Sequence, residues 1–184
     1  PAAYVVPAMD DWKDNIIYVN TATSDPTLLL TLAHEGYPGH MYQCIYQRSK
    51  DDLGLMQRAA NFGGYAEGWA QFAEFLVTQY QTKYDQNYVR LNFEYGVLAN
   101  SILPAIISIM VNYYGYSEEA LGNYLTGIGF KKEAAEQFYE MVIDQPYYFF
   151  AYAIGYAQIA QLYRDESGDI GASFDMSTFL TTYL

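Results

Sequence analysis

The chain has two histidines, and both lie in the stretch LAHEGYPGH, from Leu32 to His40, with Glu35 directly after the first. Imidazole nitrogens and carboxylate oxygens are the usual ligands of catalytic zinc, which keeps one further position open for water. In the familiar zinc-protease helix the two histidines are four residues apart and lie about 40° apart on one face. His34 and His40 are six residues apart, which would place them about 240° apart on a regular helix. A shared metal site therefore requires an interruption between them.

Pro38 and Gly39 supply such an interruption. Pro38 has no N–H, and its ring crowds the carbonyl four positions back, which is that of His34. Gly39 permits backbone conformations that other residues avoid. We therefore predict a bulge or short loop that swings His40 back beside His34. The alternative is that both histidines are ordinary core or surface residues without a metal.

Zinc held by two histidines needs a third protein ligand. A second stretch, GYAEGWAQFAE from Gly64 to Glu74, offers two carboxylates, Glu67 and Glu74. They are seven residues apart and therefore lie within about 20° on one helical face. Because burying an unpaired charge is costly, one of these carboxylates is predicted to be a ligand and the other to hold a ligand histidine. The alternative for both glutamates is an exposed acidic stripe. Cys44 is expected to be a buried apolar residue and not a ligand.

The periodicity and the turn signals predict a mostly α fold with at most one small strand or hairpin near the N-terminus. The strand is NIIYVN at 15–20, and Asp25 is the expected N-cap of a helix that begins at Pro26. Helices are predicted over residues 26–37, 40–50, 56–61, 65–80, 87–114, 117–127, 131–143, 145–165 and 175–184.

Three places are expected to depart from regular helix: a break at Gly63-Gly64, a kink at Pro104 and a Gly/Ser loop over 166–173. The most apolar run, Val97–Val111, is interrupted by polar residues and is shorter than the roughly 18 residues of a membrane span, so we predict a buried helix there. Since no repeat or linker is visible, residues 1–184 are predicted to form one helical catalytic domain. The start without Met predicts that this domain is a portion of a longer protein.

Basic residues number 9 and acidic residues 21, which gives a formal net charge of −12. Such a charge disfavours nucleic acid and anionic membrane surfaces as partners, and it attracts cations. The single cysteine excludes an internal disulfide framework. No targeting segment is recognisable, so cytoplasmic and exported locations both stay open.

The two stretches together resemble the DUF885 family, whose signature is similar to His-Glu-x-x-Pro-Gly-His followed by Glu-Gly-Trp-Ala. The opening, AAYVVPAMDDWKDNIIYVN, also resembles the segment that precedes this signature. The family consists of uncharacterised proteins expected to be zinc-dependent peptidases, similar in layout to helical gluzincins such as the oligopeptidase and angiotensin-converting-enzyme groups. DUF885 proteins are much longer, so the resemblance implies their C-terminal, metal-site portion. Met41 departs from the pattern, in which a second histidine follows Pro-Gly-His, but it is not an implied ligand.

The resemblance implies a helical, gluzincin-like metallopeptidase domain that binds one zinc ion (Zn²⁺) per chain. His34, His40 and Glu67 would be the ligands and Glu35 the catalytic glutamate. Zinc lowers the pKa of a water and polarises the scissile carbonyl, and Glu35 would pass the water's proton to the leaving amine. A short peptide is the implied substrate. The same ligands also suit manganese, cobalt or iron.

The oxyanion that forms in such a reaction needs a hydrogen-bond donor, and the chain has no third histidine to supply one. Tyrosines recur at helical spacing near the C-terminus, and the segment Tyr152-Ala-Ile-Gly155-Tyr156 resembles the Gly-Tyr segment that supplies such donors in helical gluzincins. Tyr152 and Tyr156 are therefore the candidate catalytic tyrosines. The alternative is that both belong to the core.

Two other functions stay open. One is a metal-binding but non-hydrolytic domain, such as a sensor or scaffold, although an intact Glu35 argues for hydrolysis. The other is a helical interaction domain without a metal. The expected partners are a short peptide substrate and the N-terminal part of the same protein, without which this portion could be inactive.

Overall fold

A computed structural model describes residues 2–8, 10–20, 22, 26–60, 62–80 and 82–184 of the chain. Helices account for most of these residues, and the one sheet among them has two strands and lies near the N-terminus. The predicted mostly α fold is therefore confirmed. Asp25, the expected N-cap of the first helix, lies outside the described residues.

The small sheet pairs β1 (Ala2–Val5) with β2 (Ile16–Val19) in antiparallel register, with Ala2 opposite Val19. β-branched and aromatic residues favour this pleated arrangement. The strand predicted at 15–20 is confirmed over its central four residues. The hydroxyl of Tyr4 donates to Asn15 Oδ1 at 2.6 Å and ties β1 to the residue that precedes β2.

The N-terminal part of the chain forms four helices: α1 (Pro26–Glu35), α2 (His40–Ser49), α3 (Leu55–Ala59) and α4 (Gly63–Val77). The predicted break at Gly63-Gly64 is wrong, because these two glycines form the first turn of α4. The first turn closes where the N–H groups of Tyr65 and Ala66 donate to the Phe62 carbonyl at 2.8 and 2.9 Å. Close packing requires neither glycine, since a Cβ on Gly64 would meet nothing within 4 Å. α4 also ends earlier than predicted, where the hydroxyl of Thr78 donates to the Phe75 carbonyl at 2.7 Å.

Residues 86–113 form one continuous helical segment of four parts: α5 (Gln86–Val97), the π-helical turn π1 (Leu98–Ile102), α6 (Leu103–Ser108) and the π-helical turn π2 (Ile109–Tyr113). Asp85 caps its start by accepting a hydrogen bond from the N–H of Tyr88 at 3.0 Å. Pro104 lies two residues after π1. The irregularity expected at Pro104 therefore takes the form of a wider turn just before the proline.

This segment, Gln86–Tyr113, is long and apolar enough to cross a membrane by length and composition alone, with 28 residues and a mean hydropathy of 1.5 in its most apolar window. Within the fold 44% of that window is buried, and core helices of soluble proteins meet the same criterion. The buried helix predicted for 97–111 is confirmed on one face. The other face carries an exposed apolar stripe of Leu91, Tyr95, Leu98, Ile102, Ile106, Ile109 and Tyr113.

The C-terminal part forms α7 (Glu118–Gly127), α8 (Lys132–Asp144), α9 (Tyr148–Ile170), a short 3-10 turn (Gly171–Ser173) and α10 (Met176–Tyr183). The helix predicted over 117–127 is confirmed, and Ser117 caps it, since its hydroxyl accepts a hydrogen bond from the N–H of Ala120 at 3.2 Å. The loop predicted over 166–173 is wrong at its start, because α9 continues to Ile170. Tertiary contact supports these extra turns, as the hydroxyl of Tyr183 in α10 donates to Glu166 at 2.8 Å.

α4 lies at the centre of the core. Its buried Trp69, Phe72 and Leu76 pack with Ile159 of α9 and Phe179 of α10. Two further clusters join α1 to α5, and α6 to α7, α8 and α9. Because α4 and α9 share the central cluster, their crossing sets the position of the elements on either side.

The crossing of α4 and α9 is a direct contact between backbones. A Cβ on Gly68 would lie 2.6 Å from the Cα of Gly155, and a Cβ on Gly155 would lie 3.1 Å from the Cα of Gly68. Carbon atoms at van der Waals contact are about 3.5–4.0 Å apart. The two helices can therefore approach this closely only with glycine at both positions.

We expect Gly68→Ala to destabilise the fold by about 1–3 kcal/mol, because the added methyl group overpacks this crossing. Gly122→Ala in α7 is the matched control, since nothing lies within 4 Å of a Cβ placed there. The control should stabilise the protein by about 0.5–1 kcal/mol, as expected for alanine in a helix interior. Urea unfolding followed by circular dichroism measures both, and an unchanged midpoint for Gly68→Ala would contradict the backbone contact.

Candidate metal site

The end of α1 and the start of α2 bring the two histidines together. Four bent residues separate the helices, and the N–H of Gly39 donates to the Ala33 carbonyl at 3.1 Å, so the chain folds back over the last turn of α1. The ring centroids of His34 and His40 lie 4.7 Å apart. The interruption predicted at Pro38-Gly39 is confirmed, and α1 ends two residues earlier than the predicted end at 37.

Trp69 fixes this loop against α4. Its indole N–H donates to the Pro38 carbonyl at 2.8 Å, and its side chain is buried. Gly39 is required by close approach, because a Cβ there would collide with the carbonyls of Ala33 and His34. Trp69 is not among the site residues predicted from the sequence. The available signal was its N–H, which needs a partner when the ring is buried.

Glu67 of α4 lies between the two imidazoles. Its Oε2 is 3.4 Å from His34 Nε2 and 3.3 Å from His40 Nε2. In the described part of the chain these side chains form the one group of three whose donor atoms lie within 4.8 Å of one another and could hold a metal ion. Glu67 Oε2 is also buried without a hydrogen-bond partner. A buried carboxylate oxygen that lacks a donor and faces two imidazole nitrogens fits a divalent cation.

Glu74, two turns further along α4, orients His34. Its Oε1 lies 2.7 Å from His34 Nδ1. Because a carboxylate accepts, Nδ1 donates this hydrogen bond and Nε2 is left to face Glu67. The side chains of His34 and Glu74 are 14% and 20% exposed, so Glu74 does not belong to an exposed acidic stripe. A carboxylate that holds the second ring nitrogen is the usual support of a metal-binding histidine.

The charges of the cluster stabilise one another. Burial lowers the pKa of His34, but the carboxylates of Glu67 and Glu74 outweigh burial and raise this pKa from 6.5 to about 9. Burial likewise raises the pKa of Glu67, but the imidazoles of His34 and His40 outweigh it and lower this pKa to about 2. Without a cation, the cluster therefore favours a proton on His34 and a negative charge on Glu67 at neutral pH. Metal binding at His34 would displace that proton.

Glu35 lies beside the histidines as the last residue of α1. Its Oε2 accepts a hydrogen bond at 2.9 Å from the backbone N–H of Tyr4, which is 31 residues away in the sequence. Strand β1 therefore orients this carboxylate. No sequence pattern predicted the contact, because backbone N–H groups carry no residue-specific signal.

A cavity of about 500 Å³ opens beside the cluster. Residues of β1, α2 and α3 line it together with five of the predicted site residues, which are His34, Glu35, His40, Glu67 and Tyr152. Cys44 also lines it and is half-buried rather than buried. A second cavity of about 310 Å³ lies on the other side of His34 and is bordered by π1. There the amide of Gln71 donates to Ser101 Oγ at 2.9 Å.

The structure separates the two candidate tyrosines. The ring of Tyr152 stacks on that of His34 with centroids 6.5 Å apart, and its hydroxyl lies 2.9 Å from the hydroxyl of Tyr148. Burial, followed by the neighbouring Tyr148 and Glu67, raises the pKa of Tyr152, so its hydroxyl is protonated at neutral pH. Tyr156 instead packs edge-on against Phe93 of α5 at 5.7 Å, among core residues.

The model of the family described as "Bacterial protein of unknown function (DUF885)" matches residues 1–184 of the chain. The crystal structure of a candidate lipoprotein from Colwellia psychrerythraea is similar, with a TM-score of 0.74 and 21% sequence identity. The similarity covers 100% of this chain but 32% of that one, so the chain spans about a third of that protein's length. At this identity the likeness concerns the fold alone. Among curated proteins, none matches the chain.

We expect Glu74→Gln to lower the affinity for zinc about 10- to 100-fold, because the support of His34 is weakened. Competition with a chromophoric chelator measures this affinity. Glu140→Gln is the control, since Glu140 is exposed on α8 and its loss removes the same charge far from the cluster in the sequence. Equal affinities for Glu74→Gln and the control would show that Glu74 does not orient His34.

Proposed function

The chain belongs to the DUF885 family, and we propose that it is a zinc-dependent hydrolase of short peptides. One observation carries the proposal: the donor atoms of His34, His40 and Glu67 converge within 4.8 Å of one another. Glu35 and Tyr152, which offer a general base and a hydrogen-bond donor, line the same cavity. A domain that only binds a metal has no need of either group.

His34, His40 and Glu67 would hold the ion. Glu74 would support His34 by accepting the hydrogen bond from its Nδ1. A zinc ion with an open position supplies Lewis acidity, which polarises a carbonyl group and lowers the pKa of a water. Two imidazoles and a carboxylate also suit manganese, cobalt or iron, so the metal content of the purified protein decides its identity.

Glu35 acts as the general base in this proposal. Its carboxylate takes a proton from the attacking water and gives it to the nitrogen of the leaving amine. The hydrogen bond from the Tyr4 N–H occupies Oε2 and fixes the plane of the carboxylate, which leaves Oε1 for the water. Positioning of this kind removes much of the entropic cost of bringing base and water together.

Tyr152 acts as the donor to the developing oxyanion. Its raised pKa keeps the hydroxyl protonated, and the adjacent hydroxyl of Tyr148, at 2.9 Å, can accept or donate as Tyr152 turns toward substrate. Tyr156 has no such access, because its ring lies in the core against Phe93. We therefore propose Tyr152, rather than Tyr156, as the catalytic tyrosine.

We expect zinc-loaded protein to hydrolyse short peptides and Glu35→Gln to lower kcat by about 10²- to 10⁴-fold while keeping its zinc, because the change removes the base and not a ligand. Mass spectrometry of a peptide mixture measures hydrolysis, and elemental analysis measures the metal. His34→Ala is the companion variant and should lose both. Wild-type protein that holds one zinc per chain and cleaves no peptide would instead support the non-hydrolytic metal-binding function.

We expect Tyr152→Phe to lower kcat by about 10²- to 10³-fold, as the loss of one oxyanion donor does in other hydrolases. Tyr156→Phe is the matched control, since it removes the same hydroxyl from the next turn of the same helix and should change kcat little. Steady-state kinetics on one peptide compares the two. A larger loss in Tyr156→Phe than in Tyr152→Phe would reverse the assignment.

A further inference from the structure

The cavity beside the metal cluster is lined by basic and amide side chains where α2 and α3 form its wall. Two of the four arginines of the chain, Arg48 and Arg58, line it. Gln43 and Gln47 of α2 line the same wall. Gln47 Nε2 already donates to the Gln57 carbonyl at 2.7 Å. Arg48, Arg58 and Gln43 therefore give this wall its hydrogen-bond donors and positive charge, whereas the metal-binding end offers carboxylates.

Arg48 and Arg58 differ from Arg90 in their surroundings within the part of the chain that the structure describes. Arg90 pairs with Glu94 at 3.5 Å. Among the described residues no carboxylate lies within 4.0 Å of Arg48 or Arg58. Arg48 is steadied by a neutral partner, the Pro7 carbonyl, to which its Nη1 donates at 2.7 Å. The chain has 21 acidic residues, yet in the described part none pairs with these two arginines of one cavity. This arrangement favours an anionic group of a ligand as their partner.

Buried donors on this wall also lack acceptors. Arg58 Nε is buried and makes no hydrogen bond. Gln43 is 6% exposed, and its Nε2 is buried without an acceptor. Native proteins rarely leave buried donors unpaired, and such groups mark places where a ligand or water completes the structure. Because His40, Gln43 and Gln47 recur at helical spacing, they form a row along α2 that leads away from the metal cluster.

We infer that this wall is a substrate subsite, in which Arg58 and Arg48 bind a carboxylate group of the peptide. The inference rests on the proposed peptide hydrolysis and names the substrate class for it. A guanidinium offers parallel N–H groups that match the two oxygens of a carboxylate, and it stays charged at all accessible pH values. Gln43 donates to the peptide between the carboxylate and the scissile bond.

The spacing along α2 sets which carboxylate is bound. Seven residues of helix, from His40 to Gln47, cover about 10 Å, and an extended peptide advances about 3.3–3.6 Å per residue. Arg48 is one residue further along α2, about 12 Å of helix from His40, so the carboxylate lies about three to four residues from the scissile bond. It is either the C-terminal carboxylate of a short peptide or the side chain of an aspartate or glutamate at that position.

Binding of three hexapeptides tests the subsite without relying on turnover. The probes are acetyl-hexaalanine as the free acid, the same peptide as its C-terminal amide, and an amide with one glutamate in its C-terminal half. Calorimetry on zinc-loaded Glu35→Gln gives Kd values. We expect the free acid or the glutamate peptide to bind about 10- to 100-fold more tightly than the plain amide, and which of them does so identifies the source of the carboxylate.

The variant Arg58→Gln, added to Glu35→Gln, should abolish this preference, and Arg58→Lys should restore part of it. Arg90→Gln is the control, because it removes the same charge from an exposed position on α5. A carboxylate preference that survives Arg58→Gln would place the carboxylate elsewhere, for example on the metal, and would overturn the inference. Equal Kd values for all three peptides on zinc-loaded Glu35→Gln, in which Arg58 is intact, would also overturn the inference. This measurement does not depend on whether the arginine variants fold.

The two proposals fail separately. If zinc-loaded wild-type protein cleaves none of the three peptides while the Arg58-dependent preference persists, the subsite stands and the hydrolase proposal fails. If the wild-type protein cleaves all three with equal kcat/KM and Arg58→Gln changes nothing, the hydrolase proposal stands and the subsite is overturned.

Discussion

The arrangement of the site depends on one constraint, the contact between the backbones of α4 and α9 at Gly68 and Gly155. Successive residues of a helix point about 100° apart. Three consecutive residues of α4 therefore contact three different parts of the structure. Glu67 faces the two imidazoles, Gly68 touches α9, and Trp69 donates to the Pro38 carbonyl in the loop that returns the second histidine. Because all three contacts start from one helical turn, the two histidines, the loop between them and α9 are held in fixed positions relative to one another.

The electrostatics of the cavity follow from the same packing. Glu35, Glu67 and Glu74 are all brought beside two imidazoles, and burying carboxylates is costly unless each has a partner. Glu35 has the N–H of Tyr4, and Glu74 has the ring of His34. Glu67 has imidazole neighbours but no hydrogen bond at Oε2, and the proposed cation would supply its missing partner. The net charge of −12 also attracts cations, whereas Arg48 and Arg58, which have no acidic partner among the described residues, are the groups of the cavity proposed to bind an anion.

Much of the site could be predicted because its signals are local. The spacing of His34 and His40 demanded an interruption, Pro38 lay between them to provide it, and Glu67 and Glu74 shared one helical face. The fold predictions were wrong where tertiary contact overrides local propensity. Gly63-Gly64 opens α4 instead of breaking it, because the modest cost of glycine in a helix is outweighed by the core contacts that α4 makes through Trp69, Phe72 and Leu76. The extra turns of α9 likewise depend on contacts with α10, which local periodicity does not contain.

The different environments of Tyr152 and Tyr156 follow from helix packing and could not be predicted from periodicity. Tyr152 and Tyr156 are four residues apart, about 40° on a helix, so periodicity assigns them to the same face. Gly155 lies between them, at the point where α9 meets α4. On the N-terminal side of that contact Tyr152 reaches the cavity that Glu67 lines, and on the C-terminal side Tyr156 is directed into the core against Phe93. The crossing that lets α4 present the Glu67 carboxylate therefore also selects which hydroxyl of α9 lines the same cavity, so the proposed ligand and the proposed donor are positioned by one helix contact.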